Sequence, residues 1–212
     1  NTMITTIRTL LQALVLLLLW SCGQVNSTTP VQDIKSPLLD LKDRFKYRGL
    51  THFEIDTFDW ETRPGKYQEV DSAAFRLIFQ ENACQFIGQG YDRDYFYSWQ
   101  ERDSNFIEFT ILTQDESSYC DLLRYFIFDK TGTFISKFDI APACGDAGWT
   151  FAGSGQQIGK NQFTYRTIES DLKDGSLPDA EKYEGDSVNY HFTILPDGQI
   201  SQKETYRKHF SD

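Results

Sequence analysis

The sequence predicts a mainly β protein: a single antiparallel meander sheet, curved or partly closed, with short helices N-terminal to it. Three observations predict this. Aromatic residues make up 15% of the 212-residue chain, with 17 Phe and 11 Tyr, and such side chains favour strands. From residue 85 onward apolar residues recur at every second position, the period of a strand with two unlike faces. The segments carrying this alternation are joined by short turn formers, notably Asp129-Lys130-Thr131-Gly132 and Pro196-Asp197-Gly198, which suit tight hairpins. Strands joined this closely pair antiparallel, because a parallel pair needs a long crossover.

The helices come first. Ser36-Pro37 supplies an N-cap and a proline at the first helical position. Leu38, Leu39, Leu41 and Phe45 then fall on one side of a short helix ending near Gly49. Asp71-Ser72 opens a second. Ala74, Phe75, Ile78 and Phe79 fit a helix, but Phe75, Leu77 and Phe79 also alternate, so a strand stays open and a short helix is preferred.

The strands follow. Tyr95, Tyr97 and Trp99 alternate, as do Ile107, Phe109 and Ile111. Leu123, Tyr125 and Ile127 take one face, with Phe126 and Phe128 on the other. Phe134, Phe138 and Ile140 share a face opposite Lys137 and Asp139. Phe163, Tyr165 and Thr167 form another strand, Tyr190, Phe192 and Ile194 the next, and Gln199 to about Lys208 the last. This gives roughly seven to nine strands. Asp171–Asp186, with Gly175, Pro178, Gly185 and many charges, reads as a long exposed loop.

Composition narrows the function. At 40% hydrophobic and 25% charged the chain has ordinary globular usage, which argues against a wholly disordered chain or a multi-span membrane protein. The net charge of −10 repels phosphate backbones and argues against nucleic acid as a general partner.

Met3, the only methionine, reads as the start. Arg8 precedes Leu10–Trp20, in which only Gln12 is polar. That run is short of the roughly 20 residues of a membrane span and has the order of a secretory signal. It ends in Leu19-Trp20-Ser21-Cys22-Gly23, which resembles the lipobox of bacterial lipoproteins. The resemblance implies cleavage after residue 21, a diacylglycerol on the Cys22 thiol and an acylated new amino terminus. A cleaved, unlipidated signal is the alternative. The same resemblance implies that Gly23, standing where an Asp would favour inner-membrane retention, favours the outer membrane. Residues 1–21 are then the signal peptide, residues 22–36 a flexible tether and residues 37–212 a single β-rich domain. Loss of Arg8 takes the basic count from 21 to 20 and the net charge from −10 to −11.

Cys84, Cys120 and Cys144 remain. One disulfide with a free thiol, or three thiols, are both open. No pair has zinc-ligand spacing.

Other motifs are weak. Asp129-Lys130-Thr131-Gly132-Thr133 matches the phosphorylation motif of P-type ion-pumping ATPases, but its flanks are hairpin arms and a 24.6 kDa chain lacks room for such a pump. A turn is expected. Gly153–Gly159 is one residue too long for a dinucleotide fingerprint and reads as a loop. Gly145-Asp146-Ala147-Gly148 reads as a β-turn or bulge. Asp171, Asp174, Asp179, Glu181, Glu184 and Asp186 lack EF-hand spacing. His52, His191 and His209 form no HExxH and no nucleophile elbow. Asp92 and Asp94 beside Tyr95 are carboxylates near a turn. No catalytic, cofactor-binding or metal residue is named, and no cofactor is expected. Cys22 is the one assigned site, for lipidation.

Tyr125-Phe126-Ile127-Phe128-Asp129-Lys130-Thr131-Gly132-Thr133-Phe134-Ile135-Ser136 and Phe192-Thr193-Ile194-Leu195-Pro196-Asp197-Gly198-Gln199-Ile200 repeat one form: an apolar strand, Asp-x-x-Gly or its shorter equivalent, and a second strand. In this residues 85 to 208 resemble uncharacterised lipoproteins of the Bacteroidota, a resemblance that carries no activity. The function expected is a membrane-anchored envelope lipoprotein whose non-catalytic β-sheet domain binds a protein or envelope component. An immunity or inhibitor protein neutralising a basic toxin is the alternative, and a hydrolase using scattered carboxylates the third.

Overall fold

Hydrogen bonding in the computed structural model defines ten strands: β1 Tyr47–Arg48, β2 His52–Phe53, β3 Arg93–Gln100, β4 Phe106–Asp115, β5 Cys120–Asp129, β6 Phe134–Asp146, β7 Trp149–Gly159, β8 Gln162–Leu172, β9 Tyr183–Ile194 and β10 Ile200–Ser211. The described residues are 35–55, 63–80, 93–102, 105–115, 117–173 and 182–211. Cys22 and most of the tether lie outside them, as do Cys84, Asp92, Asp174, Asp179 and Glu181. Strands β3 to β10 pair in chain order, each antiparallel to the next, so the predicted meander is the observed one. β1 adds in parallel to β3 and β2 pairs with β7. Neither two-residue strand is long enough to show a period, and neither was expected.

Both helix starts occur where the caps place them. The Ser36 hydroxyl accepts from the Leu38 N–H at 3.3 Å and opens a 3-10 helix, Pro37–Arg44. It stops before Gly49 because Phe45 is already extended. A single turn, α1 Arg63–Lys66, follows. Asp71 caps α2, Ser72–Phe79, by accepting from the Ala73 and Ala74 N–H groups. The 3-10 helix and α2 bury Leu38, Leu41, Phe75 and Ile78 against Phe96, Trp99, Phe109 and Phe126 of β3 to β5. The Phe109 ring lies 5.2–5.8 Å from those of Phe45, Trp99, Phe126 and Phe128.

The other face holds the second core, and its contacts show that the sheet curls. The rings of Tyr125 on β5 and Phe163 on β8 are 5.5 Å apart, and those of Phe138 on β6 and Phe192 on β9 are 4.9 Å apart. Neighbouring strands sit about 4.8 Å apart, so three flat steps separate β5 from β8 by about 14 Å. Only a curled sheet brings those rings together. One end is latched: the Ser136 hydroxyl donates to the Gly198 carbonyl at 2.6 Å, and Arg102 donates to Lys160 O and Asn161 Oδ1. The sheet is not closed, since β10 pairs only with β9.

Where β6 meets β7 the expectation of a glycine-rich loop is corrected. β6 and β7 pair only through Ala143–Asp146 and Trp149–Ala152. Beyond, β6 passes over β7, and β2 takes the vacated edge at Gly155 and Gln156. A Cβ at Gly155 would lie 2.2 Å from Ile140 Cγ1, and one at Gly153 2.9 Å from Pro142 Cδ. Gly153 to Gly159 is therefore strand, and two of its glycines let the backbones cross.

Three further expectations are corrected. A bulge between Phe96 and Ser98 sends Trp99 to the helix-covered face while Tyr95 and Tyr97 stay on the other. A bulge between Ile127 and Phe128 likewise separates Phe134, which packs edge-on against Phe128 at 5.7 Å, from Phe138 and Ile140. Asp171–Asp186 is not all loop: Asp171 pairs with Glu184 and Leu172 with Tyr183, and the charges on these residues are tolerated because they stand at the sheet's exposed end. The Gly145–Gly148 stretch is the β6–β7 turn, with Ala147 at φ 44° and Gly148 at φ 99°. Cys120 faces Cys144 across β5 and β6, and the two form a disulfide.

Candidate functional site

Because side chains alternate along a strand, the curl decides which of them converge. On β8 the inward residues are Phe163, Tyr165, Thr167 and Glu169, and on β9 they are Asp186, Val188, Tyr190 and Phe192. Gln202 and Arg207 continue this face on β10. Opposite them stands β6 with Lys137, Phe138, Asp139 and Pro142. Between these walls lies an open groove of about 500 Å³.

Its inner part is apolar. Tyr165 and Tyr190 stand side by side on paired strands, rings 5.9 Å apart, and Tyr165 lies 5.8 Å from Phe192. Burial, then the nearby Asp139 carboxylate and Tyr190, push the Tyr165 hydroxyl well above the usual phenol range, so it stays protonated. Neither tyrosine hydroxyl has a hydrogen-bond partner among the described residues.

The rim is charged and largely tied down. Arg207 Nε and Nη2 donate to the two Glu204 carboxylate oxygens at 3.1 and 2.9 Å, and Nη1 donates to Asp186 Oδ2 at 2.8 Å. His209 Nδ1 lies 3.0 Å from Asp186 Oδ1. The Arg207 hydrogen bond, followed by that from His209, holds the Asp186 carboxyl below the usual range. Trp149 Nε1–H donates to Glu169 at 3.0 Å, and Arg124 lies 3.4 Å from Asp139.

The buried charges elsewhere are ties between elements. Arg102 and Glu108 form a bidentate pair, and the Tyr125 hydroxyl donates to Glu108 at 2.6 Å. Arg63 on α1 pairs with Asp121 on β5 and reaches Gln114. Among the described residues no three His, Cys, Asp or Glu side chains are placed to hold a metal ion.

The residues singled out in the sequence do not converge. His52 pairs with Glu54, His191 faces outward on β9 opposite Thr164 and Lys203, and Asp186 lines the groove with His209 3.0 Å from it. Asp94 accepts from the Thr113 hydroxyl. Asp129 forms the expected turn: its Oδ1 accepts from Thr131 N, Thr131 Oγ1 and Thr133 N at 2.7–2.9 Å. Sequence reasoning missed Tyr165, Glu169, Tyr190 and Arg207 as a group, because the curl that unites them has no local signature. The chain matches no protein-family model, no curated protein and no solved structure.

Proposed function

We propose that this is a lipid-anchored protein of the bacterial cell envelope, tethered through Cys22 to the outer membrane, that binds a ligand without chemical conversion in the groove between β6 and β8–β10. The groove carries the reading. A cavity of about 500 Å³ lies within the range of ligand sites, and apolar walls with a few placed polar groups are the usual composition of one. One of its carboxylates is unsuited to acid catalysis. A general acid working near neutral pH needs a raised pKa, whereas Asp186 is held low by Arg207 and His209. The leader supports export, and so does the Cys120–Cys144 disulfide, a cross-link favoured in oxidising compartments.

The test uses full-length protein made in a bacterial envelope. The wild type is expected to carry acyl mass on Cys22 as its amino terminus, and Cys22→Ala to be unacylated. Immobilised wild type should retain an envelope component that Thr167→Trp, which fills the groove, fails to retain while still unfolding in one cooperative transition. Equal retention by both proteins would overturn the groove as the site, and an unmodified mature terminus at another residue would overturn the anchor.

A further inference from the structure

Five charged side chains line the groove: Lys137 and Arg207 against Asp139, Glu169 and Asp186. Their sum is −1, in a chain of net charge −10. Positive and negative groups are interleaved around one opening, so the groove presents no field that selects an ion of either sign. An acyl chain suits it no better, because filling the opening with hydrocarbon would strip water from all five charges.

The donors and acceptors define what does fit. Three carboxylates accept. Arg207 has five N–H groups, of which three are used by Glu204 and Asp186, which leaves two on a guanidinium already held in place. Gln202, Thr167 and the hydroxyls of Tyr165 and Tyr190 can each donate and accept. A neutral polyol has the matching property, since each hydroxyl both donates and accepts and neighbouring hydroxyls meet a carboxylate, amide or guanidinium two at a time. The apolar wall of Phe151, Val188 and Phe192 suits the C–H faces of a sugar ring. Fixed side chains also lose little freedom on binding.

Resting on the groove as the binding site, we infer that its ligand is a neutral oligosaccharide. Recognition runs through Glu169, Asp186, Arg207 and the two tyrosine hydroxyls.

The experiment is direct binding of the full-length protein to an array of neutral hexasaccharides, with oligogalacturonate, oligolysine and oleate as comparators. Affinities are then measured by Trp149 fluorescence and calorimetry. At least one neutral hexasaccharide should bind saturably in the micromolar to low-millimolar range, insensitive to salt. Tyr190→Phe should weaken it several-fold and Arg207→Met at least tenfold, with Thr167→Trp abolishing it. Binding of oleate, oligolysine or oligogalacturonate in place of the neutral sugars overturns the inference. So does an array with no neutral sugar bound. If Thr167→Trp still blocks capture of an envelope component in either case, the groove remains the site and only the ligand class falls. If it blocks nothing, the groove reading falls too.

Discussion

Replacing Gly155 by alanine tests the crossing of β6 over β7, on which the curl of the sheet depends. Gly155 has no positive φ, so space alone restrains a side chain there. The added Cβ would lie 2.2 Å from Ile140 Cγ1 and 2.7 Å from the Ile140 carbonyl oxygen, where ordinary contact is 3.4–4 Å. The side chain of Ile140 can turn aside. Its carbonyl belongs to the backbone, so the two strands must move apart in a region where Ile140 is fully buried and Phe53 is 1% exposed. Overpacking of this kind costs about 1–3 kcal/mol, and the upper end applies because backbone has to shift. For a domain of this size each kcal/mol lowers Tm by about 2–4 °C, so Gly155→Ala should melt roughly 6–12 °C below the wild type. The assay is urea unfolding by tryptophan fluorescence together with thermal melts. Gly65→Ala is the control, since nothing lies within 4 Å of that added atom, and it should stay within about 0.5 kcal/mol of wild type or gain slightly. A Gly155→Ala protein as stable as the control would refute the crossing.

Four other outcomes are expected. Asp129→Asn should melt close to wild type, because all three turn hydrogen bonds go to one oxygen that Asn retains. Gly132→Val should lose about 1–3 kcal/mol from its positive φ alone, and more from the contact of its Cβ with Ser36 Oγ at 2.2 Å; an acyl-phosphate formed from ATP and abolished by Asp129→Asn would overturn the turn. Arg102→Met leaves Glu108, 1% exposed, without its cation, and should cost about 3–5 kcal/mol in urea unfolding. Stability should be flat from about pH 5 to about pH 9 and fall as pH drops past the ordinary Asp value of about 3.9. Asp71, through the Ala74 N–H, and Asp129, where the Thr131 and Thr133 hydrogen bonds outweigh burial, both have folded carboxyls below that value. Their contribution is therefore complete above it and is lost only as they protonate; a urea midpoint that rises below pH 4 would contradict this.

The parts legible in the sequence are those written locally. Ser36 and Asp71 cap helices through atoms two or three residues away, and the Asp129 turn closes within five residues. The alternation of Leu123, Tyr125 and Ile127 against Phe126 and Phe128 assigns two buried faces to β5, and both are occupied. Features set by distant segments were hidden. The bulge that turns Trp99 over depends on pairing with β4. The glycines of β7 look like loop punctuation until Ile140 and Pro142 arrive from β6. Cys120 and Cys144 become partners only through the β5–β6 register. The groove is the extreme case, since Asp186 reads as part of a charged loop and Glu169 carries no signal at all until the curl sets them across from Lys137 and Asp139.

In the proposed function the inward face of β8–β10, and not the outward face, meets the ligand. Gln202 and Lys203 are adjacent on β10, opposite Phe192 and His191, and the strand pleat points them to opposite sides. A photo-crosslinking amino acid is placed at each position in turn in the full-length protein, in living cells, and irradiated. A ligand adduct is expected from position 202 and none from position 203; an adduct from 203 alone, or from both equally, would rule out the groove as the binding face.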